Sequence, residues 1–245
     1  YGDEEARSHV KGEEINPQLV FWELNTRLPD NAIVTGDAGT ATNWFARNIH
    51  MRRGMKSSLS GSLATMGSAV PYAIAAKFAF PERVVIACTG DGAMQMNGNA
   101  EMLTVAKYWH QWSDPRLIFL VLNNSDLNQV TWEMRIEGGN PKYEASQNLP
   151  RFNYAEYANQ LGLNGIRLER PEDVGDAWDR ALHSDRPVVL DAVVDANISQ
   201  LPPHISFQEA HNLFSALYKG DPDRAGVIKE SIRSVLASVL PHGDA

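Results

Sequence analysis

Short β-branched apolar runs alternate along this chain with longer stretches in which apolar residues recur at helical spacing. That alternation forces parallel strands joined by crossover helices, because parallel neighbours cannot be linked by a tight hairpin. Runs at 32–35, 84–88, 117–122, 166–168 and 188–194 read as strands. Helices are expected at 17–28, from the Gly39-Thr40 pair onward, and at 66–80, 99–109, 154–161 and 172–183. The first is signposted by Asn16 as N-cap and Pro17 in the first turn. The helix at 66–80 is rich in small residues (Ala69, Ala73, Ala75, Ala76) that allow close packing on a sheet. The fold class that follows is α/β, a doubly wound, mostly parallel sheet with helices on both faces.

The segment 125–150 lacks a regular pattern and carries the breakers Gly138-Gly139-Asn140-Pro141, so it reads as an irregular excursion placed where a lid would sit. Beyond Asp195, Leu201-Pro202-Pro203-His204 reads as an extended linker, followed by a helical tail at about 207–217 and 225–240. In the last helix Ile228, Ile232, Val235, Leu236 and Val239 form an apolar stripe suited to packing against the domain or a partner subunit. We read 1–195 as the α/β domain and 196–245 as linker and tail of the same domain, with no internal repeat and no low-complexity stretch.

Composition narrows the function classes. The 245 residues are 43% hydrophobic, enough for one large core, and the formal net charge is -8. That charge argues against nucleic acid as the main partner, which demands clustered Lys and Arg. The one cysteine, Cys88, lies in the apolar run Val84-Val85-Ile86-Ala87-Cys88 and reads as a buried small hydrophobe, which makes a reducing, cytoplasmic setting the expectation. No apolar stretch approaches the roughly 20 residues needed to cross a bilayer, and the tail's polar face holds too few basic residues for a membrane-surface helix. Tyr1-Gly2-Asp3-Glu4-Glu5 has neither the basic start nor the apolar core of a signal peptide, and a start at Tyr1 rather than Met leads us to expect sequence upstream.

The sharpest chemical feature is Gly90-Asp91-Gly92 followed, after thirty residues, by Asn123-Asn124, with both ends falling directly after expected strands. Adjacent parallel strands would bring Asp91 and Asn124 together outside their carboxyl ends, where open α/β sheets place ligands. A carboxylate with an amide oxygen suits Mg²⁺, which completes its shell with water and phosphate oxygens. The glycines let the backbone turn and approach a diphosphate, and amides around Ala93 and Met94 can donate to it. A dinucleotide fingerprint is the competitor, but Gln95 stands where a third glycine or alanine is wanted, and an acid inside the turn would repel an unmetallated pyrophosphate. A Walker-type loop is absent. The scattered His50, His110, His183 and His204 show no metal-ligand spacing.

With these residues, and with Gly36-Asp37-Ala38-Gly39-Thr40, Ala64-Thr65-Met66-Gly67, Pro71 and Pro202-Pro203-His204-Ile205 in support, the chain resembles the cofactor-binding C-terminal domain of thiamine-diphosphate enzymes. The resemblance runs from Asn16 to about the end. Asn123-Asn124-Ser125, Trp132-Glu133-Met134 and Gly138-Gly139 resemble the pyruvate oxidase and pyruvate:quinone dehydrogenase group more than the acetolactate synthases.

The resemblance implies that Asp91 and Asn124 bind Mg²⁺ through side chains, joined by the backbone carbonyl of Asp126. It implies that Gly39, Thr40 and Ala41 hold thiamine diphosphate from the other side, beside Gly90, Asp91, Gly92, Ala93, Met94 and Asn124. Met66 would support the thiazolium, and the carbonyl of Ala64 would accept from the aminopyrimidine. When bound, the cofactor supplies a carbanion that attacks the carbonyl of a pyruvate-like 2-oxoacid and takes up electrons as carbon dioxide leaves. The glutamate that protonates the aminopyrimidine is expected on a pyrimidine-binding domain of the same or a second subunit, so no catalytic residue is assigned in this chain. FAD on a central domain and a homodimer or homotetramer belong to the same implication. The chain departs from the oxidase group at Asn128, where that group carries glycine, with Gln129 following, which leaves the substrate-facing wall undefined. Acetolactate-type carboligation and a cofactor-binding module without turnover stand as alternatives.

Overall fold

The computed structural model describes residues 2–200 and 206–239. Its centre is a six-stranded, wholly parallel sheet in the order β2-β1-β3-β4-β6-β5. The strands are β1 (Ile33–Gly36), β2 (Lys56–Leu59), β3 (Val85–Gly90), β4 (Leu117–Asn123), β5 (Asn164–Leu168) and β6 (Val188–Val193). The helices are α1 (Gly2–Ser8), α2 (Pro17–Asn25), α3 (Thr40–Asn48), α4 (Ala69–Ala79), α5 (Asp91–Ala93), α6 (Asn99–Tyr108), α7 (Asn128–Ile136), α8 (Glu144–Gln147), α9 (Tyr154–Gln160), α10 (Val174–Leu182), α11 (Phe207–Tyr218) and α12 (Arg224–Val239).

Both faces of the sheet are covered, and the strand period of two divides the core between them. Ile86, Cys88, Ile118, Leu120 and Leu122 face one layer with Phe21, Trp44 and Trp178. Val85, Ala87, Leu117, Phe119 and Val121 face the other with Met94, Met102 and Tyr154. Cys88 is fully buried, as expected of a small hydrophobe, and burial pushes its thiol pKa up. Asn16 caps α2 by accepting from the Gln18 N–H at 3.0 Å.

The structure differs from the sequence reading in two expectations, adds one strand, and leaves the described part of the α12 stripe open toward a partner. The segment 125–150 is not patternless: it forms α7 and α8, and Trp132 on α7 is fully buried against Ile136 and Val227. Its Gly138-Gly139 pair ends α7, where Asn212 of α11 donates to the carbonyls of Ile136 and Glu137, both at 2.9 Å. The Gly90-Asp91-Gly92 stretch is a helix start rather than a free turn, since α5 begins at Asp91 and continues through a π-type turn (Met94–Gly98) into α6. The edge strand β2 escapes the reading because three of its four residues are exposed and its sequence Lys-Ser-Ser-Leu has no apolar run. On α12, Ile228 and Ile232 of the expected stripe are 45% and 55% exposed, while Val227 and Glu230 turn inward. The rest of that stripe and the Pro202-Pro203-His204 linker lie outside the described side chains. Among the described residues no helix is long and apolar enough to cross a membrane.

Candidate functional site

The strand order reverses between β1 and β3: β1 leads outward to β2, and β3 leads the other way to β4 and β6. Such a switch point opens a crevice at the carboxyl ends of the strands. A cavity of 480 Å³ lies there, walled by the segments that follow β1, β2, β3 and β4. Nine of the eleven residues expected to hold the cofactor are on its wall: Gly39, Thr40, Ala41, Ala64, Met66, Gly90, Asp91, Gly92 and Ala93. Met94 is not, because its side chain is fully buried in the core. Only its backbone remains near the helix start. Asn124 is the other residue off the wall, although Asp126 and Leu127 beside it are on it.

Asp91 and Asn124 do converge. Residues Gly90 and Leu122 are paired across β3 and β4, so each chain leaves its strand at the same level. Asp91 Oδ2 accepts the N–H groups of Asn124 at 3.0 Å and Ser125 at 2.6 Å, and Oδ1 accepts from Gly92 at 2.8 Å. Burial drives the Asp91 pKa up to about 7, against the backbone donors at Ser125, Gly92 and Asn124, and the Asp126 charge adds to the rise. The Asn124 side chain accepts from the Asp126 N–H at 3.1 Å. Asp91 Oδ1 and the Asn124 side-chain oxygen each accept a single hydrogen bond and keep a lone pair, whereas Asp91 Oδ2 is taken by two N–H groups. Asn123 points to the opposite face of the sheet, donating to Asp191 at 2.9 Å and to the Phe152 carbonyl at 3.0 Å. Ser125, at φ 56°, and Ala64, at φ 45°, are the non-glycine residues with left-handed backbone among those described, and both sit on site loops.

The donor set fits a magnesium-bridged diphosphate. One carboxylate, one amide oxygen and one carbonyl are hard-oxygen ligands that leave positions for phosphate and water. Among the described residues no group of three or more His, Cys, Asp or Glu is arranged to hold a metal, so this mixed set is of a different kind from a carboxylate or imidazole cluster. A Cβ at Gly90 or Gly39 would meet nothing within 4 Å, and Gly39 has φ 89°, so the backbone is bare to the cavity from both sides. The starts of α5 and α3 lie on its wall, where a helix start favours an anion. Thr40 is the first residue of α3 and Gly39 its N-cap.

Further residues shape the site, on its wall or behind it, beyond the roles the sequence assigns. Asp37 is fully buried and accepts the N–H groups of Gly67 at 2.7 Å, Ala38 at 2.9 Å and Ala69 at 3.2 Å, with the Thr89 hydroxyl at 3.1 Å. It thereby clamps the Met66 loop to the ends of β1 and β3. Burial raises its pKa, opposed by these donors. Met66 is half-buried beside Gly92 rather than in the core. On α7, Gln129 donates to Glu133 at 2.7 Å and accepts from Asn43 at 2.7 Å, so three polar side chains share one wall of the cavity. Their signal was the i, i+4 spacing of Gln129 and Glu133, usable only once 125–150 contains a helix. Asn128 turns inward, donating to Asp126 and to the Ala196 carbonyl, both at 3.0 Å. Tyr154 donates to the Asp91 carbonyl at 3.1 Å from the far side of the sheet.

A parallel α/β sheet with a diphosphate-sized crevice at its switch point, a buried carboxylate and two bare-backbone helix starts defines a phosphate-cofactor domain. Residues 37–192, more than half the chain, match the family described as thiamine pyrophosphate enzyme, C-terminal TPP binding domain. The chain belongs to that family. It is 33% identical over 205 residues to YdaP of Bacillus subtilis (strain 168), provisionally named a thiamine pyrophosphate-containing protein, covering 84% of this chain and 34% of that one. It is 31% identical over 197 residues to the acetolactate synthase isozyme 3 large subunit of Escherichia coli (strain K12), covering 79% of this chain and 33% of that one. To the acetolactate synthase large subunit of Buchnera aphidicola subsp. Schlechtendalia chinensis it is 29% identical over 200 residues, covering 80% and 33%. The chain thus spans about a third of the length of these relatives.

Proposed function

We propose that this chain is the thiamine-diphosphate- and Mg²⁺-binding part of a 2-oxoacid-decarboxylating enzyme of the pyruvate oxidase type. The observation that carries the cofactor site is the Asp91 carboxylate, oriented by the Asn124 and Ser125 amides across β3 and β4 at the wall of the cavity. Asp91, Asn124 and the Asp126 carbonyl would hold the metal. Gly39, Thr40, Ala41 and the amides from Gly90 to Met94 would hold diphosphate. Met66 would support the thiazolium, and the Ala64 carbonyl would accept from the aminopyrimidine. Gln129 and Glu133, on the same cavity, would meet the substrate.

A pyrimidine-binding domain, in the same polypeptide or a second subunit, would complete the site and supply the acid that protonates the aminopyrimidine. Coverage of only a third of each relative's length supports the need for such a partner. The oxidase assignment rests on Asn123-Asn124-Ser125 and Trp132-Glu133-Met134, with FAD on a further domain as its redox group. The names of the Escherichia coli and Buchnera relatives favour a second reading, carboligation of two 2-oxoacids. Product analysis of the full polypeptide with pyruvate, thiamine diphosphate, Mg²⁺ and an electron acceptor separates them. Acetate or acetyl phosphate with reduced acceptor is expected. Acetolactate without acceptor reduction would replace the oxidase reading by the carboligase one, and no turnover of any 2-oxoacid would leave a cofactor-binding module.

A further inference from the structure

The loop that follows β4 is tied to the C-terminal tail by a buried chain of charges. Asp126 Oδ1 faces Lys142 Nζ at 3.1 Å, and the two side chains are 2% and 8% exposed. The same carboxylate accepts from the Asn128 amide and the Thr131 hydroxyl, both at 3.0 Å. Three contacts within the protein thus hold this side chain. Lys142 Nζ also reaches Asp223 Oδ2 at 3.4 Å, and its backbone N–H donates to Asp221 Oδ2 at 2.9 Å. Arg135 closes the set, gripping both oxygens of Asp221 at 2.9 Å and Asp223 at 2.9 Å, with its own side chain 1% exposed. Asp221 and Asp223 immediately precede α12, and Arg135 lies on α7.

A surface ion pair needs no explanation beyond solubility, but this set is different. It costs desolvation for two cations and at least two carboxylates, and apolar packing between α7 and the tail would hold as well or better. What the charges supply is directional: each fixes the next by a hydrogen bond or an ion pair, and the Lys142 ion pair fixes Asp126.

We propose that Lys142, held by Asp221 and Asp223, is a positioning residue for the Asp126 backbone carbonyl, so that docking of the tail sets magnesium affinity at the Asp91–Asn124 site. The inference rests on the metal-site reading above. With the Asp126 side chain pinned on one side, its carbonyl and the left-handed Ser125 before it have one orientation. Without Lys142, a buried carboxylate is left unpaired and moves toward solvent, and the loop moves with it.

The test is calorimetric titration of Mg²⁺, at a fixed excess of thiamine diphosphate, into the full polypeptide that carries this chain. Lys142→Met is expected to weaken Mg²⁺ roughly ten- to a hundred-fold, the range for partners that orient a metal ligand. Lys142→Met combined with Asp126→Asn removes the unpaired charge and should return within about threefold of wild type, because the two losses are coupled rather than additive. Equal weakening in the single and double variants would mean a merely structural role and overturns the proposal. So does wild-type affinity in Lys142→Met while Asp91→Ala loses binding. If Asp91→Ala itself binds Mg²⁺ and cofactor as wild type does, the metal-site reading falls and takes this inference with it. Should Lys142→Met not fold, Asp223→Asn carries the test, since that carboxylate is 32% exposed. It should weaken Mg²⁺ by about threefold, and unchanged affinity refutes the coupling.

Discussion

Asp37 gives the most direct handle on how the cavity is held open. Its carboxylate is inaccessible and receives three backbone N–H groups and one hydroxyl, from Ala38, Gly67, Ala69 and Thr89. Replacement by alanine leaves three N–H groups without a partner, each worth about 1–3 kcal/mol when unsatisfied, and leaves the Thr89 hydroxyl only the Gly90 carbonyl at 3.4 Å. Relief of the carboxylate's own desolvation and entry of water into the vacated space offset part of that sum, leaving a net loss of about 3–5 kcal/mol. Asparagine retains one acceptor oxygen with two lone pairs and should lose about half as much. The assay is urea unfolding of the wild type, Asp37→Asn and Asp37→Ala, in that order of falling midpoint with an unchanged slope. Amide hydrogen exchange adds the location: Gly67 and Ala69 should exchange faster in both variants while the β3 and β4 amides do so only through global unfolding. An Asp37→Ala variant within about 1 kcal/mol of wild type, with Gly67 and Ala69 still protected, would refute the clamp.

Three further outcomes follow from single residues. Trp132→Ala removes a fully buried indole whose Nε1 donates to the Ala196 carbonyl at 3.3 Å, and should cost about 3–5 kcal/mol in chemical unfolding; a surface-like loss below about 0.5 kcal/mol would return 125–150 to an irregular segment. Gly39→Ala forces a methyl-bearing residue to φ 89° and projects it into the cavity, so thiamine diphosphate affinity should fall more steeply than the roughly 1–2 kcal/mol of backbone strain seen in stability. Lys77 is fully buried, with its ammonium donating to the Pro81 and Arg83 carbonyls, and burial lowers its pKa from 10.5 to about 8. Between about pH 8 and 10.5 the unfolded chain binds the proton that the folded chain has lost, so wild type should gain stability relative to Lys77→Met across that window. A flat difference between the two would contradict the burial of a charged amine.

Five of the six strands and most of the expected cofactor wall are legible in the sequence, for physical reasons that can be located. Strands buried on both faces, such as Leu117–Asn123, are continuous apolar runs, and the loaded turns after β3 and β4 announce themselves by Gly90, Asp91 and Asn124 at the ends of such runs. β2 was invisible because an exposed edge strand needs no apolar residues. Helix α7 is hidden by its neighbours: the breakers at 138–141 dominate the window, and three of its five buried residues, Asn128, Thr131 and Arg135, are polar, which leaves only Trp132 and Ile136 as an apolar mark. The charges that partner it, Asp221 and Asp223, lie about ninety residues along, a pairing that only tertiary structure reveals. The same holds for Asp37, whose motif was noted but whose partners at Gly67 and Ala69 come from another loop.

Asp91 is proposed to organise a magnesium-dependent thiamine diphosphate site. Titrating thiamine diphosphate into the full polypeptide with and without Mg²⁺ measures this most directly. Wild type should bind saturably only with the metal, and Asp91→Ala should lose that binding while keeping its fold by circular dichroism. Binding in Asp91→Ala equal to wild type, or equal binding with and without Mg²⁺, would contradict it.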